Sequence, residues 1–302
     1  MMKELPTPSK NRSGWPWTDD SVSEPQFEPG SCPLPKISIV TPSFNQAQYI
    51  EETIRSVLLQ GYPNLEYIII DGGSTDGSIE IVKKYEPWLT YWVSERDRGQ
   101  SHAINKGFQH ATGEVFAFIN SDDYYLPGAF TRVAENFTED YQLFVGMTFQ
   151  IGTDGVLTGK RRAPSLAVDD VADWQKNWFR QPGCFFSKEV FKKVGGIDES
   201  LKYSLDFDLW LRILKVGSGK YIENELAVAR NHPAMKTQNK GGRGFAEDRI
   251  VQIKAGYTEL AIGYISSLYD ELRTYKSKFR WLNSITKSVG KLARKVKNRD
   301  IR

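Results

Sequence analysis

The stretch Phe116-Ala117-Phe118-Ile119-Asn120-Ser121-Asp122-Asp123 decides the reading of this chain, because an apolar run with the pattern of a buried strand stops abruptly on adjacent carboxylates. Strands of α/β sheets present their carboxyl ends to the ligand crevice, and hard anionic oxygens placed there suit a divalent cation and the phosphates it carries. The same Asn-Ser-Asp-Asp, ahead of Tyr124, Tyr125 and Pro127, also has the composition of a turn that caps the next helix. The local residues leave both readings open, and the rest of the chain weighs between them.

Upstream, Lys36 to Thr41 reads as a buried strand that exits through Pro42-Ser43-Phe44-Asn45. Tyr49, Ile50, Thr53, Ile54, Val57 and Leu58 then lay an apolar stripe at helical spacing, closed by Gly61 and Pro63. Leu65 to Ile70 predicts a second strand ending at Asp71, and Gly72 to Gly77 a glycine-rich loop into a helix reaching about Tyr85. A short strand over Thr90 to Val93, a helix over Gly99 to Ala111, a fourth strand over Glu114 to Ile119 and a helix over Pro127 to Phe137 follow. This alternation predicts an α/β fold: a mainly parallel central sheet with right-handed crossovers and helices on both faces. Beyond it, a hairpin over Tyr141 to Ile151 and Gly155 to Arg161, and helices over Val168 to Trp178, Ser187 to Val194 and Asp206 to Val216, read as covering elements and loops added to one domain.

The chain has 302 residues, 40% hydrophobic and 25% charged, which is ordinary for a globular protein with a buried core. Its two cysteines, Cys32 and Cys184, lack metal-ligand spacing and suggest neither a disulfide framework nor a zinc site, so a reducing cytosol is the simplest fit. The first 35 residues are rich in Pro, Ser, Asp and Glu and lack the apolar core of a secretory signal; no run approaches the ~20 apolar residues of a spanning helix. The net charge of +3 conceals a basic end, with ten Lys or Arg from Lys276 to Arg302 against the single acid Asp300. There Trp281, Leu282, Ile285, Val289, Leu292 and Val296 recur at helical spacing among Lys287, Lys291, Arg294, Lys295 and Arg299. That pattern fits either a basic amphipathic helix lying on an anionic bilayer or a solvated tail. No nucleic-acid motif accompanies the charge, and nucleic acid is not expected as a partner. The expected division is a polar leader at 1–35, a main domain at 36–240 and a helical extension with a basic tail at 241–302.

The ordered set Val40-Thr41-Pro42-Ser43-Phe44-Asn45, Ile70-Asp71-Gly72-Gly73-Ser74-Thr75-Asp76-Gly77, Asn120-Ser121-Asp122-Asp123 and Asp206-Phe207-Asp208-Leu209-Trp210-Leu211-Arg212 closely resembles the family 2 glycosyltransferases. The resemblance runs from about Lys36 to about Gln238 and implies the GT-A nucleotide-diphospho-sugar transferase fold. It also implies inverting transfer of a hexosyl or N-acetylhexosaminyl group from a nucleotide diphosphate sugar, expected to be UDP-linked, to a hydroxyl of a glycan or lipid-linked acceptor. Surface polysaccharide or glycolipid synthesis, in the cytoplasm and peripherally at the inner face of the membrane, is the expected setting.

Carried over residue by residue, the resemblance places Thr41, Pro42, Ser43 and Asn45 toward the donor's base and ribose. It makes Asp71 the acceptor for the base N–H, with Gly72 permitting close approach. Asn120 stands where the family has the first Asp of Asp-x-Asp and serves the ribose beside Ser121. Asp122 holds Mg²⁺ or Mn²⁺ bridging the diphosphate, with Asp123 as its neighbour. Asp97 is expected near the donor sugar, although His102 and Ile104 depart from the family pattern on the same helix. Asp206 matches the general base that takes the acceptor's proton, with Asp208 as the competitor and Leu205 in place of the usual Glu. His232, in Arg230-Asn231-His232-Pro233, is expected at the metal, for which imidazole is suited. Gln181, with Trp174, Trp178, Pro182 and Phe185, is expected on the acceptor side; a core role for the tryptophans is equally open.

Two other classes share parts of this pattern. A nucleotidyltransferase making the sugar nucleotide would need a glycine-rich loop with a basic residue after the first strand, and Pro42-Ser43-Phe44-Asn45-Gln46 offers none. A non-catalytic nucleotide-sugar binding protein has little reason to keep Asp122, Asp206 and His232 together. A dinucleotide dehydrogenase is not expected, because no Gly-x-Gly-x-x-Gly follows the first strand.

Overall fold

A computed structural model describes residues 5–8, 12–18, 34–236 and 241–278, and the chain divides into two compact units, 1–251 and 252–302. The basic helix expected over Trp281 to Val296 lies outside the described residues.

The first unit alternates strand and helix: β1 (Ile37–Ser43), α1 (Ile50–Leu58), β2 (Leu65–Asp71), α2 (Ser78–Tyr85), β3 (Tyr91–Ser94), α3 (Gln100–Gln109), β4 (Val115–Phe118). After these come β5 (Tyr124–Tyr125), α4 (Ala129–Asn136), β6 (Leu143–Ile151), β7 (Leu157–Arg161), α5 (Val168–Ala172), α6 (Trp174–Asn177), β8 (Cys184–Ser187), α7 (Lys188–Lys193), α8 (Leu205–Val216) and β9 (Gly219–Arg230). Helix α9 (Gly241–Lys254) follows. β1, β2, β3 and β4 pair in parallel, and every residue of β1 is buried, as expected of a strand with both faces covered. Alternate side chains divide the core. Ile37, Ile39, Tyr67 and Ile69 meet Ile50, Ile54 and Val57 of α1 and Val82 and Tyr85 of α2. On the other face Phe116 stacks on Phe108 of α3, and Phe118 on Trp210 of α8. Each fully buried side chain of this size contributes about 1.5–3 kcal/mol. Helix α3 lies close on β1 because residue 107 is glycine: a Cβ there would meet Val40 Cγ1 at 2.4 Å.

Downstream of α4 the chain does more than cover the sheet. β8 pairs antiparallel with both β4 and β6, and β9 pairs parallel with β6, giving the order β3-β2-β1-β4-β8-β6-β9-β5 with β7 beside β6. β6 and β9 therefore run in the same direction as β4. The carboxyl ends of β1, β2, β4 and β9 all come to one edge, which carries Ser43, Asp71, the Asn120–Asp123 turn and the residues after Arg230. The helix expected over Val168 to Trp178 is broken at Asp173 (φ −82°, ψ 61°), so that the buried Trp174 turns in to stack on Phe207 of α8.

Part of the leader docks on the first unit. Arg55 of α1, buried, donates to the carbonyls of Pro6 (2.8 Å) and Pro16 (2.9 Å), Trp17 is buried beside it, and Trp15 Nε1 donates to Tyr125 O at 2.8 Å. In the second unit, α10 (Thr258–Lys278) exposes Ile262, Ile265, Leu268, Tyr269 and Leu272. Among the described residues no helix is long and apolar enough to cross a membrane.

Candidate active site

A cleft of about 1190 Å³ opens along the carboxyl edge of the sheet. Of the expected site residues, Pro42, Ser43, Gly72, Asp97, Asn120, Ser121, Asp122, Asp123, Gln181 and Asp206 line it. The Asn120–Asp123 turn forms its floor and is held from several sides. Gln181 Nε2 donates to Phe118 O, fixing the end of β4, and Gln100 Nε2 donates to Asn120 Oδ1 at 2.6 Å. Lys236 Nζ donates to Gln100 Oε1 at 2.8 Å, extending this chain of polar contacts to the segment beyond β9.

Asp122 and Asp123 have separate fates. Asp123 is buried: its Oδ1 accepts from Arg230 N at 2.9 Å, and Thr53 Oγ1 donates to its carbonyl at 2.6 Å. Burial first, and then the charge of Asp122, push its carboxyl well above the usual carboxylate range. Asp122 stays at the cleft wall with Oδ2 2.9 Å from Nε2 of His232. The imidazole is buried behind it against the ring of Tyr49, centroids 4.9 Å apart. Arg230, also buried, supports this corner by pairing with Glu52 at 2.8 Å and donating to Asp122 O at 3.3 Å.

The pair fits a divalent cation as far as two ligands can. Asp122 Oδ2 and His232 Nε2 share a 2.9 Å hydrogen bond, and carboxylate and imidazole are both ligand types that would suit such a cation. Among the described residues no cluster of three or more His, Cys, Asp or Glu side chains could hold a metal. Such a site suits Mg²⁺ or Mn²⁺ bound through one carboxylate and completed by a substrate's phosphates.

On the β1–β2 side, Ser43 Oγ is buried in the cleft wall with no hydrogen-bond partner among the described residues, an atom open to a ligand. A Cβ on Gly72 would meet Asp97 Oδ2 at 2.8 Å and Phe44 Cδ2 at 3.3 Å, so a side chain there would displace the Asp97 carboxylate from the cleft wall. Asp71 and Asn45 both hold the Gly72–Gly77 loop in place through hydrogen bonds within the protein. Asp71 is buried and accepts from Gly73 N, Ser74 N, Ser74 Oγ and Ser94 Oγ at 2.5–3.0 Å. Asn45, in the left-handed region at φ 52°, accepts from Thr75 N at 2.9 Å. Thr41 is fully buried and shares a 3.1 Å hydrogen bond with the hydroxyl of Tyr67.

Asp206 lies in the first turn of α8 and lines the cleft, with Oδ1 accepting from Phe207 N at 2.8 Å. Asp208 is not among the lining residues; it is buried and holds Arg212 through two hydrogen bonds of 2.8 and 2.6 Å. Lys236, near Asp206, has its ammonium pushed below the usual lysine range by burial and by the charge of Lys202. Phe44, Arg96, Arg180, Lys202, Tyr203 and Lys236 also line the cleft; Phe44 lies within the Val40–Asn45 motif and Lys236 just past Arg230-Asn231-His232-Pro233, but no role was assigned to any of the six from the sequence. Phe44 carries the one local signal, an apolar ring at a strand exit, and it is 61% exposed. Trp178 lines the cleft between the guanidinium groups of Arg161 and Arg180, whereas Phe185 belongs to the core.

Comparison with known proteins agrees with this architecture. The family model described as glycosyl transferase family 2 matches residues 38–195, just over half of the chain. An uncharacterized glycosyltransferase of Rickettsia typhi is 29% identical over 211 residues, covering 67% of this chain and 66% of the relative. The chain thus spans a little under two thirds of that relative's length. A Bacillus subtilis protein assigned by name to teichuronic acid biosynthesis, the glycosyltransferase TuaG, is 33% identical over 198 residues, 63% of this chain and 77% of the relative. The structure of residues 1–349 of Staphylococcus aureus TarS in complex with UDP-GlcNAc superposes with a TM-score of 0.56 at 20% identity, over 72% of this chain and 65% of that one, a likeness of fold.

Proposed function

Because this chain belongs to glycosyl transferase family 2, with the GT-A fold, we propose that it transfers a sugar from a nucleotide diphosphate sugar to a hydroxyl acceptor with inversion at the anomeric carbon. The observation that supports the reading is that Asp122, backed by the buried His232, and Asp206 line one cleft, at the edge where the parallel strands end. Asp206 takes the proton of the acceptor hydroxyl as its oxygen bonds to the anomeric carbon; the bond from that carbon to the phosphate oxygen breaks on the opposite face, and the nucleoside diphosphate leaves. Asp122 and His232 would hold the cation, which when bound neutralises charge gathering on the departing diphosphate. Ser43 and Asn120 offer hydrogen bonds to the nucleoside, and Gly72 keeps that wall low enough for it.

A UDP-linked hexose or N-acetylhexosamine is the donor to try first, since the TarS fragment of the same fold was solved with UDP-GlcNAc. The name of TuaG favours a surface polysaccharide as product. We place the enzyme in the cytoplasm at the inner membrane face. The exposed apolar residues of α10 are followed in sequence by ten Lys or Arg from Lys276 onward, a combination suited to anionic headgroups. The test is a panel of sugar nucleotides with Mg²⁺ or Mn²⁺, and proton NMR of the first product's anomeric centre. An α-linked donor giving a β-linked product supports the reading; retention of configuration overturns the single-displacement role of Asp206.

A further inference from the structure

Helix α8 carries Asp206 in its first turn, yet its N-cap residue Ser204 makes no side-chain capping bond to the helix. The start of a helix leaves backbone N–H groups without partners, and a side-chain oxygen usually meets them from within the turn. Just ahead of that helix start, the chain is held instead by Glu247 and Asp248 of α9, which lie in the same compact unit as α8. One carboxylate oxygen of Glu247 accepts from the N–H groups of three consecutive residues, Lys202 (3.0 Å), Tyr203 (2.6 Å) and Ser204 (3.3 Å). The neighbouring Asp248 accepts from Ser204 Oγ at 2.6 Å. Both acids are buried, and Arg243 Nε stands 3.5 Å from the other oxygen of Glu247.

The three residues so gripped are the approach to Asp206, and Lys202 and Tyr203 line the cleft with it. A carboxylate that accepts three N–H bonds fixes the backbone of that turn, and with it the angle at which Asp206 leaves α8. We propose that Glu247, assisted by Asp248, is a positioning residue for the reaction: it holds the turn 202–204 so that the carboxylate of Asp206 meets the acceptor hydroxyl. The proposal rests on Asp206 being the base, and it makes α9, which lies beyond the residues matched by the family model, part of the catalytic apparatus.

The full-length chain tests this with Glu247→Ala, Glu247→Gln, Asp206→Asn and the double variant Asp206→Asn/Glu247→Ala. Glu247→Ala is expected to lower kcat about tenfold or more, as small misplacements of a reacting group do, and to leave the donor KM within about twofold. Glu247→Gln, whose amide oxygen still accepts the three N–H groups, is expected to keep most of kcat. In the Asp206→Asn background the alanine change is expected to cost little more. Unchanged kcat in a folded Glu247→Ala enzyme, or a loss fully additive with Asp206→Asn, overturns the proposal. If Glu247→Ala does not fold, Glu247→Asp, one methylene too short to reach all three groups, carries the same comparison. Near-normal turnover of Asp206→Asn alone would instead remove the base and the proposal with it, a result distinct from a silent Glu247.

Discussion

Asp206 and Asp208 show how two carboxylates of one helical turn are separated by geometry alone. Residues two apart on an α-helix point about 200° from each other, so only one of the pair can face the cleft. The structure turns Asp206 to the cleft and Asp208 to Arg212, and the clue was already present in the sequence as an Asp and an Arg at i, i+4. Asp206→Asn is therefore expected to cost about 10²-fold in kcat with the donor KM little changed. Asp208→Asn is expected to lower stability by about 1–2 kcal/mol in thermal or denaturant unfolding, with kcat in the folded enzyme near normal. A crippled Asp208→Asn enzyme beside an active Asp206→Asn enzyme would reverse the two roles. Other residue readings were less legible. Asp71 and Asn45 have the residue types of ligand contacts, but their hydrogen bonds to the Gly72–Gly77 loop are visible only once the chain is folded. Arg96 and Arg180 reach the cleft from segments with no motif at all.

At the scale of elements, the alternation from β1 to α4 was legible because each strand there is a continuous apolar run and each helix a clear stripe. β9 was not, because Lys220, Glu223, Asn224 and Glu225 break its hydrophobic pattern where its pairing with β6 shifts register. β8 has only four residues, too few for any periodicity. β8 joins β6 to β4 and the end of β9 brings His232 to Asp122, so the site depends on elements whose pattern is weak. The amino end of β2 shows the opposite case, a polar residue inside a legible strand. Burial alone would raise the carboxyl of Glu66, but the ammonium of Lys36 at 2.6 Å, the hydroxyls of Ser38 and Thr112 and the Thr112 N–H outweigh it and hold it at about 2. A carboxylate depressed from 4.5 to about 2 contributes stability above pH 4.5 that is lost as pH falls through 2. Glu66→Gln is expected to cost on the order of 2–3 kcal/mol at pH 7 in urea unfolding, and the gap from wild type should close between about pH 5 and pH 2. A gap that does not change with pH would mean that the charge of Glu66 is not what β2 uses.

At the scale of the whole molecule, catalysis and location are assigned to different stretches of chain and should come apart by experiment. Each Lys or Arg close to an anionic surface adds about 1 kcal/mol of attraction, and several together suffice for reversible docking. Removal of residues 276–302 is therefore expected to abolish sedimentation with anionic vesicles while donor hydrolysis in solution persists. Equal vesicle binding by both chains would take away the reason for placing the enzyme at a membrane. In the proposed reaction the leaving group depends on Asp122. The most direct test is release of nucleoside diphosphate from the best donor by wild type and Asp122→Ala, with Mg²⁺ or Mn²⁺ present and after removal by EDTA. Release that requires the cation, is lost in EDTA and returns on adding metal back, and is absent from a folded Asp122→Ala enzyme, is the predicted result. Near-normal release by Asp122→Ala, or by the wild type in EDTA, would contradict it.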